Sequence, residues 1–289
     1  MSRIALGTAQ FGLPYGIANK DGQVALPQVK AMLQLASANG IDTLDTASAY
    51  GDSEYCLGVV GTLNFKLITK LPVMPQDCGD VSEWVRQQVI ASLSRLRVTT
   101  VYGLLLHWPG QLLSPNGTAL YKALCELKDI GLVRKVGVSI YSPSELEALT
   151  SQFVFDLVQA PFNLVDRRLH TTGWLQRLKD DGVEIHTRSA FLQGLLLMNQ
   201  SDIPSKFSPW GSLWKSWHGW LADQEGTAVQ ACLNFPLSFT EIDRVIVGAD
   251  SISQLAQILS AASSQLLGEL PDLQCEDEDL TNPAKWPVL

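Results

Sequence analysis

Charge is scarce in this sequence. Of its 289 residues only 17% are Asp, Glu, Lys or Arg, and 21 basic residues face 29 acidic ones. The resulting net charge of −8 leaves no surface suited to neutralising phosphates, which excludes nucleic acid as an expected partner. Histidine and cysteine are rarer still. The four histidines (His107, His170, His186 and His218) contain no HxxxH pair, and the five cysteines stand 22 or more residues apart. CxxC redox or metal spacing is therefore excluded, a zinc site is not expected, and the cysteines read as reduced thiols. No apolar run approaches the roughly 18 residues of a membrane span, and Met1-Ser2-Arg3 leads directly into a strand-like run without a secretory leader. A cytoplasmic protein is expected. Neither GxGxxG nor GxxxxGK[ST] occurs, so neither a Rossmann fingerprint nor a P-loop is present.

What the sequence does have is alternation. Short Val/Ile/Leu-rich runs at Ile4–Gly7, Ile41–Asp45, Phe65–Lys70, Val101–His107, Val133–Ser139, Phe155–Gln159, Val183–Thr187 and Arg244–Gly248 give eight strand candidates. Between them lie segments of helical period such as Pro27–Asn39 and Val81–Leu96. Several helices end in a glycine, at Gly40, Gly131 and Gly182, just before the next strand, the place for a left-handed C-cap. Runs such as Tyr102-Gly103-Leu104-Leu105-Leu106 are apolar throughout, which fits strands buried on both faces of a parallel sheet. Eight βα units in about 265 residues predict a (β/α)₈ barrel forming one domain over 1–289, with an open doubly wound sheet as the alternative. The barrel core is expected at 3–265. Residues 199–224 carry Trp210, Trp214, Trp217 and Trp220 at helical spacing, either a helix packed on the barrel or an apolar wall for a substrate. Residues 266–289 read as a tail whose acidic run Glu276–Asp279 forms a solvated turn.

Barrel enzymes assemble their sites at the C-terminal ends of the strands. Here those ends carry Asp45, with Tyr50 in the following loop, then Lys70, His107, Ser139 and Gln159. Each has a structural explanation alone, but a run of them at consecutive strand ends points to one polar mouth. A tyrosine whose pKa is near ~10 is a reluctant acid at neutral pH unless its phenolate is stabilised. A lysine ammonium such as Lys70, held by Asp45, is expected to do that, and a neutral His107 to orient a carbonyl oxygen toward the Tyr50 hydroxyl.

These residues and their contexts resemble the aldo-keto reductases, from Leu6-Gly7-Thr8 to about Leu259. Ile41-Asp42-Thr43-Leu44-Asp45-Thr46-Ala47 with Tyr50-Gly51 and Glu54 is similar to one family signature, and Leu104-Leu105-Leu106-His107-Trp108-Pro109 to its histidine strand. The resemblance implies a (β/α)₈ barrel, a catalytic tetrad of Asp45, Tyr50, Lys70 and His107, and reduction of an aldehyde or ketone, possibly sugar-like, by an NADP(H)-dependent monomer. It further implies carboxamide contacts from Ser139 and Gln159, and a ring-stacking residue at the place where Arg188-Ser189 stands. Gly248, Ala249, Ser251 and Gln254 would bind the pyrophosphate and adenosine at a helix start. Gln10, Phe11, Tyr15 and Trp108 are candidate pocket liners.

The sequence departs from the family pattern at two informative places. Ile140 replaces the asparagine that usually follows the carboxamide serine. The Gly248–Gln257 segment carries Asp250 and no Lys or Arg where a 2′-phosphate is usually held, so NAD(H) is possible. A barrel that binds nicotinamide as a sensor or regulatory subunit is the alternative to an enzyme, and a lyase using Tyr50 and Lys70 for proton transfer alone is a third reading.

Overall fold

Eight short strands pair in sequence order: β1 (Ile4–Gly7), β2 (Thr43–Asp45), β3 (Lys66–Leu71), β4 (Val101–Leu106), β5 (Val133–Ser139), β6 (Leu157–Pro161), β7 (Glu184–Arg188) and β8 (Arg244–Val247). Each is parallel to the next, and β8 pairs with β1 through Ile4↔Val245 and Leu6↔Val247, so the sheet closes on itself. That closure establishes the (β/α)₈ barrel over the open sheet. The computed structural model describes residues 2–62, 64–264 and 268–286.

Helices α1 (Leu26–Ala38), α2 (Ser53–Val60), α3 (Val81–Leu96), α4 (Gly117–Asp129) and α5 (Ser144–Thr150) follow the first five strands. The pair α6 (Arg168–Thr171) and α7 (Trp174–Asp180) follows β6, the pair α8 (Gly211–Ala222) and α9 (Ala228–Leu237) follows β7, and α10 (Ile252–Ala262) follows β8. The expected terminators hold: Gly40, Gly131 and Gly182 take φ of +75°, +77° and +72°. Four strands, β2, β3, β6 and β7, begin one or two residues later than their apolar runs. At two of them the reason is visible, because Ile41 N donates to Ala36 O and Val183 N to Leu178 O, closing the preceding helix instead of joining the ladder.

Tryptophans 210–220 belong to the outer layer rather than to a substrate wall. Trp214 Nε1 donates to Phe207 O and Trp217 Nε1 to Leu196 O, while Trp217 and Trp220 stack at 5.7 Å. The described part of the tail is also held down. Leu273 and Leu280 are buried, Cys275 N donates to Val165 O, and Trp286 packs edge-on against Phe207. Its acidic run is more than a solvated turn: Asp277 caps the short helix α11 (Glu278–Thr281), and Glu278 pairs with Arg168 and Lys285. Residues 266–267 and 287–289 of the expected tail lie outside the described residues.

Side chains alternate across each strand, and paired residues of parallel strands share a face. The register Gly7↔Asp45↔Ile68, Lys70↔Leu105, Ser139↔Gln159↔His186 and Pro161↔Arg188 therefore turns Asp45, Lys70, Ser139, Gln159 and Arg188 into the barrel. Ile68, Leu105 and Leu157 fill its middle. At the opposite end a polar plug centres on Glu184, which accepts from Tyr102 Oη at 2.7 Å and Lys135 Nζ at 2.5 Å and lies 2.8 Å from His186 Nε2. Burial alone would raise the Glu184 carboxyl, but these hydrogen bonds outweigh it and hold the group well below its ordinary 4.5. Glu184→Gln is expected to lower unfolding free energy by about 2 kcal/mol at neutral pH in urea titrations. A depressed carboxylate stabilises above the unfolded pKa and loses its contribution as pH falls, so the gap between wild type and variant should close in acid.

Candidate active site

The sharp loop between β2 and α2 places Tyr50. Tyr50 N donates to Ala47 O, Ser53 N donates back to Tyr50 O, and the loop lies directly on the β1 loop. The two loops touch through glycines, since a Cβ on Gly12 would stand 1.8 Å from Tyr50 O and one on Gly51, at φ +52°, 2.3 Å from Gly12 O. Any larger residue at either place would push the tyrosine out of position.

Beneath it lies a buried ion pair. Lys70 Nζ donates to Asp45 Oδ1 at 2.8 Å, to Oδ2 at 2.7 Å and to Thr46 O at 3.0 Å. Gln159 Nε2 donates to Asp45 Oδ1 at 2.7 Å, and Ser139 Oγ donates to Gln159 Oε1 at 3.0 Å. Thus Ser139, Gln159, Asp45 and Lys70 form one hydrogen-bond chain under the cavity floor. Tyr50 stands above it, with Lys70 Nζ 5.1 Å from its ring centre and the His107 ring 5.8 Å away, edge-on.

The Lys70 charge is engaged chiefly by Asp45. All three Lys70 donors are committed, two of them to the opposite charge of Asp45, so the ammonium is largely neutralised where Tyr50 stands. Burial lowers the Lys70 pKa, and Asp45 pulls it back up. For Tyr50, burial and then the Asp45 carboxylate raise the phenol above its ordinary 10.0, and the cation that opposes them is Arg188. Burial and the Lys70 charge push His107 down to about 4, which favours its neutral form.

Tyr50 and His107 open on a cavity of about 720 Å³ that runs to Gly248, Asp250 and Gln254 at the start of α10. Gln10 lines it and rests against Gly248, where an added Cβ would come within 2.5 Å of the Gln10 amide. Ser189 lines it in the left-handed region (φ +65°), a conformation of about 1–3 kcal/mol strain for a non-glycine residue. Ala249 is buried beside it, and Ser251 accepts from Gln254 N as the cap of α10.

Two expected liners lie elsewhere. Phe11 sits in a 3₁₀ turn and is completely buried in the core, and Trp108 is half exposed on the rim, over Tyr141 at 6.0 Å. Tyr15 lines the cavity as expected, and Asn19 and Tyr141, which were not singled out in the sequence, line it too. Asn19 Nδ2 bonds Asp250 Oδ1 at 3.1 Å across 231 residues, a pairing for which local sequence carries no signal.

The sequence profile of the Aldo/keto reductase family matches residues 3–269. The chain is 27% identical over 223 residues to an NADH-specific methylglyoxal reductase of Escherichia coli, covering 68% of this chain and 65% of that protein. It is also 27% identical over 211 residues to the Bacillus subtilis aldo-keto reductase YhdN, covering 68% and 60%. The chain thus spans a little under two thirds of both relatives. Among solved structures, the Bacillus halodurans aldo-keto reductase AKR11C1 superposes with a TM-score of 0.74 at 20% identity over 92% of this chain and 88% of that one. The Gluconobacter oxydans glycerol dehydrogenase AKR11B4 gives 0.70 at 22% over the same shares. At those identities the superpositions speak to the fold.

Proposed function

Because the chain belongs to the aldo/keto reductase family, we propose that it reduces an aldehyde or ketone to the alcohol at the expense of NADH, with Tyr50 as proton donor. One observation carries the reading: Tyr50 and a neutral His107 share a cavity wall directly above a buried Lys70–Asp45 pair. Tyr50 gives its proton to the carbonyl oxygen, and His107 orients that oxygen and stabilises the charge growing on it. Lys70 and Asp45 hold the floor rigid, and the proton lost by Tyr50 is replaced from solvent.

The cavity fits a nicotinamide dinucleotide. It is long enough to run from Tyr50 to α10, whose first amides have no partner inside the helix, and the wall at Gly248 leaves no room for a side chain beside Gln10. When bound, the reduced cofactor supplies the hydride. Ser139 and Gln159 stand below the tetrad end, Ser189 lines the wall above them, and Gly248, Ala249 and Gln254 hold the phosphate end, with Ser251 shaping the helix start. The family resemblance favours NADP(H), but the charges favour NADH. Arg188, the one Lys or Arg among the described lining residues, stands at the tetrad end, and Asp250 occupies the other. A carboxylate accepts a hydrogen bond from a ribose hydroxyl and repels a 2′-phosphate. The relative named NADH-specific is consistent with this. A cytoplasmic monomer acting on a small carbonyl compound completes the reading.

Loss of reduced-nicotinamide absorbance with a panel of aldehydes tests the activity. Tight NADH binding with no turnover on any carbonyl would favour a sensor instead. For cofactor choice, Asp250→Asn is expected to tighten NADPH binding about tenfold, roughly 1.4 kcal/mol, in a fluorescence titration. Equal NADPH affinities in the two proteins would remove Asp250 from cofactor selection.

A further inference from the structure

The cation of the chamber is unusual in what it does not touch. Arg95, Arg168 and Arg244 each face a carboxylate, Glu54, Asp166 and Asp42 respectively. Arg188 makes no ion pair among the described residues. Of its five N–H groups one donates to Ile140 O at 3.0 Å and one to Ser189 Oγ at 3.2 Å, and its plane lies 4.8 Å from the Tyr141 ring centre. The other three N–H groups have no protein acceptor among the described residues, although Arg188 lines the cavity with Tyr50 and His107.

The charges around the reacting carbonyl can be summed. Lys70 and Asp45 cancel at 2.7 Å, and His107 is neutral. Arg188 remains, leaving the tetrad end of the cavity with one uncompensated positive charge and a guanidinium fixed by a carbonyl, a hydroxyl and an aromatic face. A cation with unused donors on a cavity wall is free to take an anion, and a planar fork of N–H groups matches the oxygens of an oxo-acid.

We propose that the carbonyl substrate carries an anionic oxo-acid group, a carboxylate or a phosphate, which Arg188 binds beside Tyr50. The inference rests on the reductase reading above and adds its substrate class. It places the anion a few bonds from the carbonyl, so that one molecule spans Tyr50, His107 and Arg188.

Two matched pairs test it: succinic semialdehyde against butanal, and glyceraldehyde 3-phosphate against glyceraldehyde. In the wild type, kcat/KM for the anionic member of at least one pair should exceed its neutral partner by tenfold or more, and the pair that responds distinguishes carboxylate from phosphate. Arg188→Met should bring that ratio close to one through KM, even though kcat for both members falls as Tyr50 loses a favourable charge. Arg188→Lys should retain part of the ratio. Anion binding is read independently of turnover, as a rise in melting temperature with succinate or inorganic phosphate that Arg188→Met removes. A ratio near one in the wild type for both pairs overturns the proposal. So does an Arg188→Met variant that weakens NADH binding tenfold and keeps the ratio, since the cation would then serve the cofactor. No oxidation of NADH or NADPH with any of the four compounds would overturn the reductase reading, while the melting shifts would still decide the anion site.

Discussion

Tyr50→Phe is expected to lower kcat about 1000-fold or more while NADH still binds within about threefold of wild type, because general-acid transfer by a positioned group is worth roughly 10²–10⁴. The substitution removes one oxygen and keeps the ring that packs edge-on against His107 and over Lys70. The Tyr50 hydroxyl makes no hydrogen bond to protein among the described residues, so its loss leaves no buried group unpaired and the melting temperature should hardly move. A structural tyrosine would show the reverse, with a lower melting temperature and nearly normal turnover. Single-turnover rates and fluorescence titration of NADH separate the two, and an unchanged kcat would dismiss Tyr50 as the acid. The pH profile gives a second readout. Burial and Asp45 keep the phenol protonated through neutrality, and His107 titrates at about 4, so kcat should stay flat from about pH 5 to neutrality and fall below that.

Much of the scaffold was legible because a barrel strand buried on both faces leaves a compact signature: an apolar run, a polar residue at its end and a glycine stop on the preceding helix. Asp45, Lys70, His107, Ser139 and Gln159 could be read together on that basis; the register turns Asp45, Lys70, Ser139 and Gln159 into the barrel, and His107, just past β4, lines the cavity. Strand starts were less legible, because an apolar residue such as Ile41 or Val183 serves equally to close a helix or to open a strand. The tryptophans of α8 were ambiguous for the same reason, since helical spacing specifies a face and leaves open what covers it.

The chemistry within the site was only partly legible, and the reason is electrostatic. Residue types suggested that the Lys70 ammonium activates Tyr50, but a charge acts only as far as its partners leave it uncompensated. Three short hydrogen bonds tie Lys70 to Asp45 and Thr46, and no spacing rule foretells that all of them form. The uncompensated cation is Arg188, whose sequence position implied ring stacking and whose side chain reaches the β5 loop at Ile140 and Tyr141. Contacts between loops of different βα units, such as Asn19 with Asp250, carry no periodic signal because loops follow no period.

Lys70→Met is the prediction with the largest effect on the fold. Methionine fills nearly the same volume but removes the charge that balances Asp45, whose carboxylate would stay buried with the Gln159 amide as its remaining side-chain donor. Removing one partner of a buried pair costs about 3–5 kcal/mol, so the melting temperature should drop by roughly 5–8 °C for a chain of this size. Activity should fall at least 100-fold, as the floor that fixes Tyr50 relaxes. The double variant Lys70→Met with Asp45→Asn separates the two effects. It removes the orphaned charge and should recover most of the lost stability, since a neutral buried pair avoids the desolvation penalty. Activity should not return with it, because the three hydrogen bonds by which Lys70 fixes the floor under Tyr50 would still be missing while Gln159 and Ser139 remained in place. Recovery of turnover together with stability would reduce Lys70 and Asp45 to structural residues. A single variant as stable as wild type would mean that Lys70 is already uncharged in the fold, the state toward which burial pushes it and against which Asp45 pulls.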